Sequence, residues 1–347
     1  MSVSVLPRIT RRSRSRSRKI LAIPAVAAAA LVFATPAAEA GAPHGKPAGP
    51  PHEFWRVVWE DHFNGPAGAP PSPAKWIIDT GHSYPGGPNN WGTGEIQEYT
   101  ANPENVALDG AGYLRITPRR DDSGHWTSAR IETKRKNFRP PKNGVLAIEA
   151  RIQLPTVTGT QALGYWAAFW ALGAPYRGDY WNWPRIGEFD IMENVNGLNQ
   201  VWGVLHCGIQ QGGPCDETNG IGATSPCLST ACTGNFHTYR FEWDDARDEL
   251  RWYVDGVHYH TVTRGQIGDQ AWTEITGHEG YFILLNLAMG GGFPNGVAGH
   301  PTPVPETQPG HPMVVDYVQV STHASLGEGQ VRREGPPLSG TVTAAIR

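Results

Sequence analysis

The sequence predicts an all-β sandwich of short antiparallel strands with an aromatic-lined groove. It contains 42 Gly and 30 Pro in 347 residues, about a fifth of the chain, which excludes a mainly helical protein. Its 13 Trp are many for this length, whereas only 18% of its residues are charged. A chain that is rich in turns and aromatic residues but poor in charge favours this fold class.

Short apolar or alternating runs separated by turn residues recur from Trp55 onward, as is typical of antiparallel strands. The dipeptide Asp255-Gly256 between two such runs predicts a tight hairpin turn. Helical periodicity is limited to short segments near Ala101 and Ser225, so we expect one sandwich and no second domain. The predicted strands are residues 56–59, 113–116, 129–133, 145–154, 165–172, 187–192, 201–206, 238–243, 250–254, 258–262, 281–287 and 313–320.

Residues 1–40 are predicted to be a secretory signal. Seven Arg and Lys precede an apolar run at 20–33, and Ala38-Glu39-Ala40 fits the small-residue rule for cleavage. The run is short for a membrane helix and contains Pro24, so we expect a secreted protein without membrane attachment after cleavage. Arg11-Arg12 leaves both Sec and Tat export open.

The rest of the chain divides into a Pro/Gly linker at 41–54, one domain at 55–322 and a C-terminal tail at 323–347. Without residues 1–40 the chain has 22 basic and 31 acidic residues, a net charge of −9. That charge argues against a polyanion such as nucleic acid and favours a neutral ligand. We expect a monomer.

The four cysteines fall within 26 residues, at Cys207, Cys215, Cys227 and Cys232. An even, clustered set in an exported chain predicts two disulfides. Pairing of neighbours closes the shortest loops, although four cysteines allow three connectivities. A zinc site is the competing interpretation, and it would call for closer paired spacing.

Three carboxylates occupy six residues of an otherwise apolar strand, at Glu188, Asp190 and Glu193. Glu188 and Asp190 share a face because they are two residues apart. Glu193 would point to the opposite face of a regular strand, but one extra residue in a β-bulge near 191–192 would return it. Phe189 and the apolar pair at 191–192 would then pack in the core.

Such a group suits glycoside hydrolysis, in which retaining enzymes place two carboxyl groups roughly 5–5.5 Å apart. Asp190 would hold a proton or hydrogen bond between the two glutamates and separate their pKa values. An acidic edge strand or a calcium site is the alternative. Neither explains the neighbouring Trp183 and the apolar residues between the acids.

The pattern W-P-x-x-G-E-x-D-I-M-E at 183–193 resembles the signature of glycoside hydrolase family 16, in its bulged, laminarinase-like form. Further segments resemble the family in order and spacing, so that the likeness covers about residues 55–320. These segments are residues 126–131, 164–170, 236–239, 252–256, 284–291 and 315–318.

The resemblance implies a concanavalin-like β-jelly-roll sandwich of two antiparallel sheets with a substrate cleft on its concave face. It also implies retaining endo-hydrolysis of β-glycans, with Glu188 as nucleophile, Glu193 as acid/base and Asp190 assisting Glu188. No cofactor is expected for catalysis.

Seven residues are candidates for substrate binding. Indole faces stack well on sugar rings, but Trp170 is equally consistent with a core residue, and so is His206. Arg130 resembles the family's arginine near the negative subsites. The candidates are Trp183, Trp166, Arg130, His206, Asn90, Trp170 and Asn286.

Two features depart from the usual laminarinase pattern. The loop at 207–232 is longer and richer in Cys, and it is similar to a subgroup that includes endo-β-1,3-galactanases. His62 stands where the family often has Glu. Asp316 matches the acid that holds a structural calcium in many relatives, but we assign no metal ligand to this sequence.

These patterns predict a secreted endo-β-1,3-glucanase. The nearer alternative is the same chemistry on another β-glycan, such as β-1,3-galactan. A non-catalytic β-glucan-binding protein is the farther alternative, and it is disfavoured because all three acids are present.

Overall fold

The computed structural model describes residues 55–324, most of which lie in two large antiparallel sheets. The predicted signal at 1–40, the linker at 41–54 and the tail beyond residue 324 lie outside the described residues. No helix within 55–324 has the length and apolarity needed to cross a bilayer.

The described chain forms strands and two α-helices, α1 (Arg264–Thr276) and α2 (Gly292–Ala298). The strands are β1 (Arg56–Asp61), β2 (Trp76–Asp79), β3 (Glu98–Tyr99), β4 (Val106–Leu108), β5 (Leu114–Ile116), β6 (Arg119–Arg120), β7 (Trp126–Ser128), β8 (Arg130–Thr133), β9 (Val145–Gln153), β10 (Tyr165–Gly173), β11 (Glu188–Val195), β12 (Val201–His206), β13 (Ile221–Ser225), β14 (Phe236–Asp244), β15 (Glu249–Val254), β16 (Val257–Thr263), β17 (Tyr281–Met289) and β18 (Met313–His323).

One large sheet has the strand order β16-β15-β14-β9-β18-β5-β4, with β1 also paired to β18. The other has the order β13-β12-β11-β10-β17-β8-β2 and contains the three acids on its third strand, β11. A small third sheet joins β3, β7 and β6. The predicted antiparallel sandwich is confirmed.

The core lies between the inner faces of the two large sheets. Phe189 on β11 stacks on Phe241 of β14, with 4.6 Å between ring centroids, and on Tyr281 of β17 at 4.2 Å. All three rings are fully buried. Aromatic pairs at these separations add to the stability that comes from burying their area.

Every predicted strand is present. The strands that the sequence analysis missed are short, at two to five residues: β2, β3, β4, β6, β7 and β13. The predicted hairpin turn is confirmed, because Asp255 and Gly256 join β15 to β16 with φ of 49° and 77°. Positive φ at both central residues is the geometry of a type I′ turn.

The helix expectations are wrong. Ser225 ends β13, and the chain near Ala101 is not helical. The longer helix is α1, which begins at a capping box in which the side chain of Gln266 accepts a 2.7 Å hydrogen bond from the Thr263 backbone. Such a box satisfies backbone donors at a helix N-terminus.

The predicted β-bulge is present on β11. Asp190 pairs with Val204 and Glu193 with Trp202, so 191–192 lie opposite Gly203 alone. Ile191 and Met192 are both buried in the core, as expected. The extra residue returns Glu193 to the face that carries the other two acids.

The opposite sheet supports the bulge. The indole of Trp252 on β15 donates a 2.8 Å hydrogen bond to the backbone carbonyl of Asp190. Trp252 also occupies the space beside Gly203, where a Cβ would lie 2.6 Å from its Cδ1 and would meet the Tyr259 hydroxyl. The bulge therefore depends on a residue without a side chain at position 203.

We expect Gly203→Ala to lower the free energy of unfolding by about 1–3 kcal/mol, because the added methyl group overpacks the core against Trp252. Urea unfolding of the mature chain measures this change. Gly265→Ala is the matched control, since a Cβ there meets only the Thr263 hydroxyl at 3.8 Å. Equal unfolding midpoints for the two variants would contradict the prediction.

Candidate active site

The three acids lie on the outward face of β11. In the register with β10, Glu188 lies opposite Leu172, Asp190 opposite Trp170 and Glu193 opposite Ala168. Asp190 and Glu193 are buried at 5% and 7% exposure, and Glu188 is half-buried. Three carboxyl groups are thereby crowded on one surface with little access to water.

This crowding raises the pKa of both glutamates. Burial is the larger cause for Glu193, and the nearby charge of Asp190 adds to it, so that its pKa rises to about 8. Burial and Asp190 also raise the pKa of Glu188 well above its usual range. Because interacting carboxyl groups titrate together, a proton on one glutamate favours the charged form of the other.

His206 on β12 lies beside these acids, opposite Glu188 in register. Its Nε2 is 3.3 Å from Asp190 Oδ2, but that oxygen has no hydrogen-bond partner of good geometry within the described chain, so the contact is electrostatic. Its Nδ1 is 2.8 Å from Glu217 Oε2. Burial lowers the pKa of His206, yet Asp190 and Glu217 outweigh it and hold the pKa well above its usual range.

Aromatic side chains flank the acids at both ends of β11. Trp166 donates a 2.8 Å hydrogen bond from Nε1 to Glu193 Oε1. The rings of Trp166 and Trp202 both contact the ring of Phe293 in α2 edge-on, with 5.8 and 5.2 Å between ring centroids. At the other end the ring of Trp183 lies 5.5 Å from that of His206. The predicted Trp166 and Trp183 therefore both lie next to the acids.

Trp170 and Asn286 form the floor beside β11. The Trp170 indole donates to Asn286 Oδ1 at 2.7 Å, and Asn286 Nδ2 donates to the Tyr99 hydroxyl at 3.1 Å. The hydroxyl in turn donates to Glu95 at 2.6 Å. Trp170 is half-buried and also packs against a small buried cluster that includes Leu172 and Phe282, and the hydrogen-bond network fixes the orientation of its ring.

Arg130 is buried among aromatic rings on the same face. Its guanidinium lies 4.8 Å from the ring centroid of Trp170 and 4.5 Å from that of Trp91. Arg130 Nε donates a 3.2 Å hydrogen bond to Asp79 Oδ2, and Arg130 Nη2 donates a 3.1 Å hydrogen bond to the Tyr84 hydroxyl. Because the guanidinium of Arg130 is already hydrogen-bonded and packed against these rings, Arg130 holds the surrounding aromatic side chains in place.

Asn90 lies in a turn next to this cluster. The 3₁₀ turn Asn89–Gly92 gives Asn90 a φ of 50° and leaves it exposed, while the following Trp91 is buried under Arg130. Asn90 is therefore at the edge of the aromatic cluster rather than against the acids.

The disulfides pair neighbours, Cys207 with Cys215 and Cys227 with Cys232. No cysteine is left for a zinc site. The first disulfide directly follows His206, so its loop adjoins the acids. We call residues 207–232 the rim loop, because the segment begins directly after His206, beside the acids.

Asp316 lies on β18, facing Arg151 of β9. Its buried carboxylate pairs with the Arg151 guanidinium at 2.8 Å, which already supplies positive charge. His62 is the other departure from the family pattern, and its Nε2 lies 3.2 Å from Glu60 Oε2.

Sequence reasoning missed several residues of this surface. Trp202 had a usable signal, because it lies four residues before His206 on one strand and so shares its face. Glu217, Tyr84 and Trp91 come from loops, where no periodicity marks the direction of a side chain.

Comparison with known proteins identifies the family. The model for glycosyl hydrolases family 16 matches residues 110–276, which include the three acids. A beta-glucanase of Rhodothermus marinus is 33% identical over 286 residues, covering 78% of this chain and 85% of that protein. This chain belongs to glycosyl hydrolases family 16.

Other proteins match over a similar span. The structure of an endo-1,3-beta-glucanase from Streptomyces sioyaensis has a TM-score of 0.77 and 55% identity, covering 80% of this chain and 99% of that chain. A glucan endo-1,3-beta-glucosidase of Niallia circulans is 31% identical over 80% of this chain, which spans only 39% of that protein. The predicted family and jelly-roll sandwich are confirmed.

Proposed function

We propose that this protein is a retaining endo-β-1,3-glucanase. The observation that supports this most strongly is the bulge, which brings Glu188, Asp190 and Glu193 to the outward face of β11 in a family 16 sandwich. Relatives with this fold are named for 1,3-β-glucan hydrolysis. The substrate is a polysaccharide, and the chemistry needs no cofactor.

In the first step Glu188 attacks the anomeric carbon while Glu193 donates its proton to the leaving oxygen. The glycosidic bond breaks as the bond to Glu188 forms, and one sugar chain leaves with a free hydroxyl. In the second step Glu193 takes a proton from water, whose oxygen displaces Glu188 from the sugar. Both carboxyl groups then return to their starting states.

Two features of the site support this division of roles. Both glutamates have raised pKa values, that of Glu193 to about 8, so one carboxyl group can hold a proton at neutral pH and act as the acid while the other stays charged. The positive charge of His206 lies opposite Glu188 in register and favours a charged nucleophile there. Asp190 lies between the two glutamates on β11, where its charge raises the pKa of both and its Oδ2 is 3.3 Å from His206 Nε2.

Substrate binding is assigned to the aromatic surfaces that flank the acids. Trp166, Trp202 and Trp183 present half-buried rings at the two ends of β11. Trp170 is held by Asn286 and packed under Arg130, so its orientation is set before a sugar arrives. Preorganised rings lose little entropy when they bind.

We further propose that the protein is exported and acts as a monomer outside the cell. The two disulfides and the signal-like residues 1–40 support export. The acidic charge of the remaining chain supports a partner other than nucleic acid.

Hydrolysis of another β-glycan is the second candidate, and the rim loop at 207–232 supports it. A reducing-sugar assay on laminarin, lichenan, β-1,3-galactan and agarose separates the two candidate functions, with Glu188→Gln as the inactive control. We expect release from laminarin that disappears in the variant. Release from galactan alone would keep the mechanism and replace the substrate, whereas binding without release would overturn the enzymatic function.

A further inference from the structure

We infer that Glu217 is a positioning residue for hydrolysis, which holds His206 against Asp190 from a loop closed by the Cys207–Cys215 disulfide. This inference rests on the proposed function and extends it to a segment that touches none of the reacting atoms. It also gives the rim loop a role in the reaction itself.

The contacts of Glu217 form a bridge between the loop and the strand. Oε2 is 2.8 Å from His206 Nδ1, and Oε1 accepts a 2.8 Å hydrogen bond from the backbone N–H of Cys207. The Glu217 side chain is fully buried. A buried carboxylate is stable only when it is paired, so this geometry is favoured over alternatives in which His206 turns away.

The loop also fixes the ring from a second side. Gly220 has a φ of 74°, and a Cβ there would lie 2.9 Å from His206 Cε1. The ring is thereby confined between Glu217, Gly220 and Asp190, with Trp183 nearby. Cys215 is two residues before Glu217, so its bond to Cys207 fixes the loop on which Glu217 stands.

The charges around His206 explain why its position matters. The acids that act on it are Glu188, Asp190 and Glu193 from β11 and Glu217 from the loop. Four acids around one imidazole keep it protonated, and the imidazolium in turn stabilises negative charge on Asp190 and Glu188. Without Glu217, the histidine would be free to lose its proton or to rotate.

Glu217→Gln tests this directly because it keeps the size and the acceptor for Cys207 but removes the charge. We expect kcat on laminarin to fall about 10- to 100-fold, the effect of losing the outer partner of a functional histidine. KM should change little, since the Glu217 side chain is fully buried and bonded to His206 and the Cys207 backbone, so it is not exposed to a substrate. In this variant kcat should begin to fall at a lower pH than the limb that Glu193 sets in the parent enzyme, because a less stabilised His206 imidazolium loses its proton sooner.

Asp216→Asn is the matched control, because it removes one negative charge from the neighbouring exposed residue without contact to His206. It should leave kcat and the pH profile unchanged. Unaltered kcat and pH profile in a folded Glu217→Gln protein would overturn the inference.

Titration of the His206 ring by NMR, without substrate, separates this inference from the proposed function. We expect its pKa to fall in Glu217→Gln even if no polymer in the assay is cleaved, and an unchanged pKa would overturn the inference. If Glu217→Gln does not fold, the double variant Cys207→Ser, Cys215→Ser should show the same fall, because its loop is no longer closed.

Discussion

Glu188→Ala should lower kcat on laminarin by about 10⁴-fold or more, the scale expected when an enzyme loses its nucleophile. The variant has no group to form the covalent intermediate, although Glu193 still donates its proton. Adding azide should restore turnover with an activated aryl β-glucoside, because the small anion fits the space left by the carboxylate. The product should be the α-glycosyl azide, formed by a single displacement.

The configuration of that azide is the decisive measurement, and NMR of the isolated product determines it. A β-glycosyl azide from Glu188→Ala would mean that another residue still forms the covalent intermediate. Thermal melting controls for unfolding, and we expect no loss of stability, since the change removes one of three mutually repelling carboxyl groups.

The fold was predictable where the sequence repeats a simple period. In β9, Leu146, Ile148, Ala150 and Ile152 are all buried, and from Ile148 onward they alternate with the half-buried Glu149, Arg151 and Gln153. The helix α1 was missed because Gly265 and Gly268 fall in its first turns and lower helical propensity, and Gly268 has a φ of 81°. Its capping box at Thr263 was the signal that remained.

The site was predictable as far as β-strand geometry reaches. The odd spacing of Glu188 and Glu193 required a bulge, and the structure has one at 191–192. The loop partners of His206 and Arg130 could not be predicted. Glu217 comes from a loop whose path depends on a disulfide, and Trp91 from a turn with left-handed backbone. Contacts of this kind follow from tertiary structure and have no periodic signal.

Glu193→Ala should produce the second largest loss, about 10²- to 10⁴-fold in kcat on laminarin, because the leaving sugar then departs without a proton. With an aryl glucoside whose leaving group is an acidic phenol, the rate of the first step should fall far less, since that leaving group needs no protonation. Rapid mixing should therefore show a burst of phenol followed by slow turnover. Equal losses for both substrates would contradict an acid role for Glu193.

Azide and pH then separate the roles of the two glutamates. Azide should accelerate Glu193→Ala by attacking the glycosyl-enzyme, and two successive displacements should yield the β-glycosyl azide, opposite to the product of Glu188→Ala. In the parent enzyme, kcat/KM should fall as the pH rises through about 8, where Glu193 loses the proton that it must donate. That limb should be absent from Glu193→Ala, because the group that titrates there has been removed.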